Sequence, residues 1–552
     1  MQNIVGRLTI AGAVAAVLAG AAQLDAAQWG AMQLGAAAQL AAAAQLGAAH
    51  LGRTRLAAAS ADGMPAGAPA AMPVAVATPS TAAHSRPNII VILADDLGYA
   101  DISTYRGGRF PTPHIDALAK RGVLFTDGYA SAPVCAPSRA GLMTGRYQQR
   151  FGFEYNNGPA RRDLGQGLGL SSGEITIAQL LQKNGYHTGA IGKWHLGSQE
   201  AFYPTRRGFD EFVGFLPGAT SYIDPTMPGV EVAPGPLGED APDPALTSRA
   251  NLSRHPLDQI VAGPQHTVVH NETEYLTDYF AQRATEFVQR NSRGGEPYFL
   301  YVAFNAVHSP HMVTKQYYDR FPDIKDHRLR IYAAMIAALD DAVGKIMAAV
   351  LASGEAGNTM VYFASDNGCA SYYPGLCSCA PLRGGKLSYY EGGTRVPFML
   401  SWPGHIKAGT VYSKPVSLLD VLPTSVAAAG GTLPGDRAYD GVNLLPSLTG
   451  KSSGRPHDEL FWRREPLLAI RQDNWKLWES TDTTGSYGAY QLLFDLKHDP
   501  DETTNLAATR PDKVAELDAL VRQWSQSMAE PKWASRPPVT FDVCGKTFKL
   551  PI

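Results

Sequence analysis

The segment Pro133-Val134-Cys135-Ala136-Pro137-Ser138-Arg139 sets a cysteine in a polar, Pro-bounded turn, with an arginine four residues on and a helix-like stretch behind it. A lone thiol is most often a small buried hydrophobe; beside a guanidinium in a polar turn it becomes a candidate for chemistry. Further on, Gly185-Tyr-His-Thr-Gly-Ala-Ile-Gly-Lys193-Trp194-His195-Leu-Gly197 gathers a cation and an imidazole in one short string. Two polar pairs, Asp95-Asp96 and Asp366-Asn367, offer hard oxygen donors, which suit calcium rather than zinc or copper. Adjacent carboxylates repel by several kcal/mol at intermediate dielectric, so such pairs call for a cation when they are not solvated turns. Two further strings carry Lys386 (Arg383-Gly-Gly-Lys-Leu-Ser-Tyr-Tyr-Glu391) and His308 (Tyr301-Val-Ala-Phe-Asn-Ala-Val-His-Ser-Pro-His311).

The elements around these residues read as a machine for bringing them together. Asn88–Leu93, Tyr298–Phe304 and Met360–Ala364 are short, continuous apolar runs rich in β-branched and aromatic residues, the pattern of strands buried on both faces of a parallel sheet. The first ends in Asp95-Asp96, the second leads to His308 and the third ends in Asp366-Asn367. In open α/β sheets, ligands gather at the carboxyl ends of strands. Helical patterns at Thr112–Gly122, Ile175–Gly185 and Arg328–Ser353 lie between the strands, so the chain predicts an α/β core with helices on both faces.

Cys-x-Pro-x-Arg followed by Leu-Met-Thr-Gly closely resembles the sulfatase signature, and Gly185–Gly197 resembles the second signature of the same family. The resemblance covers roughly residues 88–530. It implies an alkaline-phosphatase-like fold: a large, mostly parallel sheet between helices, with a small C-terminal antiparallel sheet plus helix. It also implies that a formylglycine-generating enzyme oxidises Cys135 in the nascent chain to 3-oxoalanine (formylglycine), whose hydrate attacks sulfur. Asp95, Asp96, Asp366, Asn367 and the converted Cys135 would surround Ca2+. Lys193 and Lys386 would hold the sulfate, Arg139 the hydrate, His308 would protonate the leaving oxygen, and His195 would take a proton from the second hydroxyl. The commoner pattern has Pro where this chain has Val307, and His311 lies three residues beyond His308. The expected activity is hydrolysis of sulfate esters, with a sulfated carbohydrate as substrate. The rivals are a phosphonate or phosphate monoester hydrolase on the same scaffold and a non-catalytic carbohydrate-binding relative.

The rest of the chain bounds this reading. Lys and Arg number 48 against 50 Asp and Glu, a net charge of −2 that gives no overall field for nucleic acid or anionic membrane. One early Arg, an apolar run from Leu8 to Ala22 and small residues at Ala19-Gly20-Ala21 fit a signal peptide over residues 1–22. Gln23 and Asp25 close that run short of spanning length, so export (periplasmic or secreted) without a stable membrane anchor is expected. Residues 23–86 form a low-complexity Ala/Gln/Pro-rich linker. A catalytic α/β domain is expected over 87–433 and a small α+β domain over 434–552, with a hairpin turning at Asp473-Asn474, a strand at Leu492–Leu496 and a helix over Pro511–Met528. Residues 221–265 read as a surface excursion where selectivity can reside; Trp194 and Tyr222 read first as packing residues, with a sugar pocket as the alternative. Five cysteines leave one unpaired. Cys135 is reserved for chemistry, and disulfides among Cys369, Cys377, Cys379 and Cys544 have three connectivities. The expected one joins Cys369 to Cys377 or Cys379, with the other reaching Cys544.

Overall fold

The computed structural model describes residues 86–158, 165–233, 259–269, 273–373, 375–482, 484–535, 539–543 and 546–551. The expected signal peptide and nearly all of the linker lie outside them, as do Cys544 and most of the 221–265 excursion.

The apolar runs form the strands they predict. In chain order the main sheet comprises β1 (Asn88–Ala94), β2 (Val123–Phe125), β3 (His187–Lys193), β4 (Glu211–Phe215), β5 (Val261–Ala262), β6 (Thr267–Val268), β7 (Tyr298–Ala303), β8 (Thr359–Ser365), β9 (Phe398–Ser401) and β10 (Thr410–Tyr412). Their spatial order is β10-β2-β9-β8-β1-β7-β3-β4-β5-β6. The five central strands, β8 through β4, run parallel. Strand β9 lies antiparallel beside β8, and β5 beside β4.

Continuous hydrophobicity in β1 follows from burial on both faces. Ile90, Ile92 and Ala94 join one core with the helices Leu276–Asn291 and His327–Ala352. Ile89, Val91 and Leu93 join a second core with the helices Cys135–Thr144 and Ile177–Lys183. The helix at Ile177–Lys183 starts on a capping box, Thr176 accepting from the Gln179 amide while Gln179 reaches back, and Pro113–Lys120 carries Pro in its first turn.

Toward the C-terminus, β11 (Glu459–Arg464), β12 (Leu467–Gln472), β13 (Trp475–Ser480) and β14 (Tyr490–Asp495) form an antiparallel meander. The β12–β13 hairpin turns at Asp473-Asn474, with Asp473 at φ 55°. The helix Pro511–Gln526 covers one face of this meander through Val514, Leu517 and Val521. The other face presents Leu460, Trp462 and Trp478 to Tyr129, Val134 and Leu387 of the main body. The described residues fall in one compact unit.

Candidate active site

Parallel pairing dictates where the polar residues meet. Ala94 of β1 is in register with Ser365 of β8, Leu93 with Ala303 of β7, and Ala303 with Gly192 of β3. Four adjacent strands therefore end together, delivering Asp95-Asp96, Asp366-Asn367, the Asn305–His308 turn and Lys193–His195 to one spot. Asp96 and His195 take left-handed backbone angles of φ 62° and 58° as the chain leaves the sheet.

Cys135 opens the helix Cys135–Thr144 from the facing side, buried and with its Sγ 3.4 Å from Asp95 Oδ1 and 3.9 Å from Asp96 Oδ1. One turn along, on the same helix face, Arg139 is fully buried. Its guanidinium grips Asp366 Oδ2 through Nε and Nη2, both at 2.8 Å, lies 3.8 Å from Asp95 and donates to the Lys193 carbonyl at 3.1 Å. Lys193 Nζ meets Asp95 Oδ2 at 2.5 Å. Lys386 Nζ lies 2.7 and 2.9 Å from the two Asp96 oxygens and 3.2 Å from Cys135 Sγ. Asn367 Nδ2 donates to Asp96 Oδ1 at 2.7 Å, and the Asp96 amide donates to Asp366 Oδ1 at 3.3 Å. The two polar pairs thus end at the same edge of the sheet.

Charge and burial set the protonation of these groups. Burial alone would raise Asp96, but Lys386, His308 and Lys193 outweigh it and hold the carboxyl well below the usual range. Burial and the neighbouring Asp95 push Asp366 up. Burial also pushes the Cys135 thiol far up, despite Lys193 and Lys386. Lys386 is held well above its ordinary value because Asp96 and Cys135 overcome its desolvation. Burial and then Lys386 bring His308 down to about 3, and burial with Lys193 and Arg139 drives His195 well below the usual imidazole range. Both rings are neutral here, and an incoming anion, by offsetting the surrounding cations, would favour their protonated forms.

His308 and His311 separate cleanly. His308 Nε2 lies 3.7 Å from Asp96 Oδ2, while His311 packs edge-on against Tyr373 and Tyr332, ring centres 4.9 and 5.8 Å away. Tyr222 lies under this turn, donating to the His308 carbonyl at 2.8 Å. Trp194 is buried with its Nε1 on the Phe202 carbonyl. Both are packing residues, Tyr222 bracing the turn and Trp194 filling the core, as the commoner reading of such aromatics predicts. Two features were missed by the sequence reading. Asn156 Oδ1 accepts from the Ala136 amide beside Cys135 at 3.1 Å, and Gly218 approaches His195 so closely that a Cβ there would lie 2.6 Å from its Nε2.

The donor set fits a hard divalent cation. Three buried carboxylates and one amide converge, and Asn367 Oδ1 is buried without a hydrogen-bond partner among the described residues. Asp95, Asp96, Cys135 and His308 also bring ligand atoms within 4.8 Å of one another. The expected disulfide is not formed: Cys369, Cys377 and Cys379 are free thiols, with the Cys369 and Cys379 sulfurs 2.7 Å apart in hydrogen-bond contact and Cys377 beside them.

A mixed sheet between helices, a small antiparallel sheet behind it and this cluster at the strand ends define an alkaline-phosphatase-like hydrolase. The chain belongs to the sulfatase family, sulfuric ester hydrolases: the Sulfatase family model matches residues 87–431, and a model described as N-sulphoglucosamine sulphohydrolase, C-terminal, matches residues 385–529. It is 34% identical to human (Homo sapiens) N-acetylgalactosamine-6-sulfatase over 81% of this chain and 87% of that protein. It is 33% identical to mouse (Mus musculus) steryl-sulfatase over 80% and 82%. Among solved structures it resembles Ps i-CgsB in complex with k-i-k-neocarrahexaose, with a TM-score of 0.70 and 33% identity over 81% of this chain and 94% of that one. A phosphonate monoester hydrolase of Agrobacterium radiobacter shares the fold at a TM-score of 0.55 and 23% identity, over 80% and 96%.

Proposed function

We propose that the protein is an exported, formylglycine- and calcium-dependent sulfatase that removes sulfate from a sulfated carbohydrate. The observation that carries this reading is the meeting of Cys135, Lys193 and Lys386 with four oxygen-bearing side chains at the ends of four adjacent strands. A relative of 33% identity solved in complex with k-i-k-neocarrahexaose supports the carbohydrate.

Asp95, Asp96, Asp366 and Asn367 are the residues that would hold calcium, and Cys135 is the residue that would be oxidised. When present, these groups would supply an oxygen nucleophile and a fixed positive charge for an anionic transition state. The chain's own part is electrostatic and prototropic. Lys193 and Lys386 bring two ammonium groups to one buried spot, where a sulfate's oxygens would find charge already in place. Arg139, one helical turn along from Cys135 and clamped by Asp366, would hold the oxidised residue by hydrogen bonds. His308, neutral until an anion arrives, would take a proton with the substrate and deliver it to the departing alcohol oxygen at Nε2. His195, just past the end of the neighbouring strand β3, would accept a proton as sulfate is released. Each proton transfer contributes on the order of a hundredfold or more.

Matched aryl sulfate, phosphate and phosphonate esters test the reaction class, and a panel of defined sulfated saccharides tests the substrate. The sulfate ester should be turned over fastest, a saccharide in the panel should exceed it in kcat/KM, and Cys135→Ala should abolish turnover with the fold intact. The peptide spanning Cys135 should carry an aldehyde by mass spectrometry. Full activity in Cys135→Ala, or a preference for the phosphonate, would sink the proposal.

A further inference from the structure

Behind the active site lie three cysteines that the sulfatase chemistry does not use. Cys369 follows Asn367 by two residues, and its carbonyl accepts from the Lys386 amide at 2.8 Å. Its sulfur is 2.7 Å from that of Cys379, which also receives the Cys369 amide at 3.2 Å and points its own proton at the Gly392 carbonyl at 3.0 Å. Cys369 and Cys379 are buried, whereas Cys377 is partly exposed. All three line an open cavity of about 570 Å³ with Arg383 at its edge. Cys377 is also within hydrogen-bonding reach of Cys369, so one buried sulfur has two rival partners. The hydrogen bond from Cys369 favours the Cys377 thiolate, but burial and the neighbouring Asp101 outweigh it and leave the Cys377 thiol above its ordinary range, so it is its access to solvent that singles it out. Between the rivals, the Ser378 amide donates to Asp101 Oδ1 at 2.9 Å, which holds both in place.

We propose that Cys369, Cys377 and Cys379 form a thiol–disulfide exchange site, in which Cys377 receives an external disulfide and the Cys369–Cys379 bridge is the product. The Cys377 thiolate attacks one sulfur of the incoming disulfide, forming a mixed disulfide and releasing one thiol. Cys369 then attacks the Cys377 sulfur, expelling the second thiol and joining 369 to 377. Cys379 attacks the Cys369 sulfur, so the 369–379 bond forms, the 369–377 bond breaks and Cys377 returns as a thiol. In sum two protein thiols are oxidised and one external disulfide is reduced to two thiols. The accessible sulfur makes the first contact because exchange needs an exposed thiolate. The bridge ends on the pair whose sulfurs already touch in a buried setting. It would fix a loop that begins at Asn367 and whose Cys369 carbonyl holds Lys386, which gives the bridge a use.

The test reads thiols, so its outcome is independent of whether sulfate ester hydrolysis is observed. The full-length protein is reduced, given oxidised glutathione, quenched by alkylation at intervals and mapped without reduction. The expected product is a Cys369–Cys379 linked peptide with Cys377 alkylated. Cys377→Ser should yield the same bridge at least about tenfold more slowly, and Cys379→Ser should stop at Cys369–Cys377. The proposal is overturned if the wild-type chain leaves all three cysteines alkylated, if Cys377 ends linked to Cys544, or if Cys377→Ser bridges as fast as wild type.

Discussion

Arg139 shows how much of the active site is a problem of charge before it is one of chemistry. Its guanidinium faces Asp366 and Asp95 in a place with no solvent, where removing one partner of a buried pair costs about 3–5 kcal/mol because the other is left unpaired. Arg139→Met should therefore lower stability by that order. If Asp95 and Asp366 also face a calcium ion, added calcium chloride should recover more of the melting temperature in the variant than in wild type. Equal shifts in both proteins would show that the cation and Arg139 do not serve the same carboxylates. At this scale the sequence was highly legible where residues sit in ordered strings. Cys135, Arg139, Lys193, His195, Lys386 and both polar pairs come to one spot. The family resemblance singled out His308 over His311, although both sit in one stretch; the packing of His311 against Tyr332 and Tyr373 sets the two apart in space. Asn156 was invisible for a related reason: its role is one hydrogen bond to a backbone amide 20 residues away.

Elements bring these residues into register, and here glycine sets a hard limit. Gly192 of β3 lies beside Ala303 of β7 with φ 103°, and a Cβ there would stand 2.0 Å from the Ala303 carbonyl oxygen. Neither the backbone angle nor the space admits a side chain, and the next residue is Lys193. Gly192→Ala should cost roughly 2–4 kcal/mol by strain and strand separation and should move Lys193 away from Asp95. Urea unfolding gives the first quantity. The second appears as a loss of kcat/KM, measured well below the unfolding midpoint, larger than the unfolded fraction explains. A variant with wild-type stability would refute the steric argument. Strands β1, β7 and β8 and the helices Pro113–Lys120, Ile177–Lys183, His327–Ala352 and Pro511–Gln526 were readable to within two or three residues, since their apolar pattern is continuous or periodic. Strand β3 and the helix Leu276–Asn291 were not foreseen. Strands β2, β9 and β10 have only three or four residues each, too few for any period to register, and they were not foreseen. Strand β11 and the hairpin Val539–Val543 with Lys546–Leu550 were also unforeseen. What a sequence of this kind leaves dark is pairing between distant short segments.

At the scale of the molecule, the small meander is tied to the active-site loop by buried charge as well as by apolar packing. Lys476 of β13 reaches Glu391 at 2.9 Å and Glu502 at 3.1 Å, with all three side chains out of solvent. The Glu391 amide donates to Glu502, and Tyr129 and Arg395 complete the partners of Glu391. Glu391 is five residues beyond Lys386, so this knot anchors the strap that carries the Lys386 ammonium. One lysine cannot neutralise two buried carboxylates. Burial raises both, but Lys476, Arg471 and Arg395 hold Glu391 at about 2, whereas burial and the Glu391 charge lift Glu502 to about 7. An acid whose folded pKa lies above its unfolded value near 4.5 keeps its proton longer in the native state. Its contribution to stability is therefore fully present below the unfolded value and is lost as pH rises through the folded one. Glu502→Gln keeps the hydrogen-bonding shape without the charge. It should flatten the decline in unfolding free energy between about pH 5 and about pH 8 and leave the variant more stable than wild type at the upper end, by roughly 1–3 kcal/mol. Urea melts across that range measure it. Parallel stability profiles for the two proteins would mean that Glu502 is ionised throughout and that the strap is held by a different balance of charge.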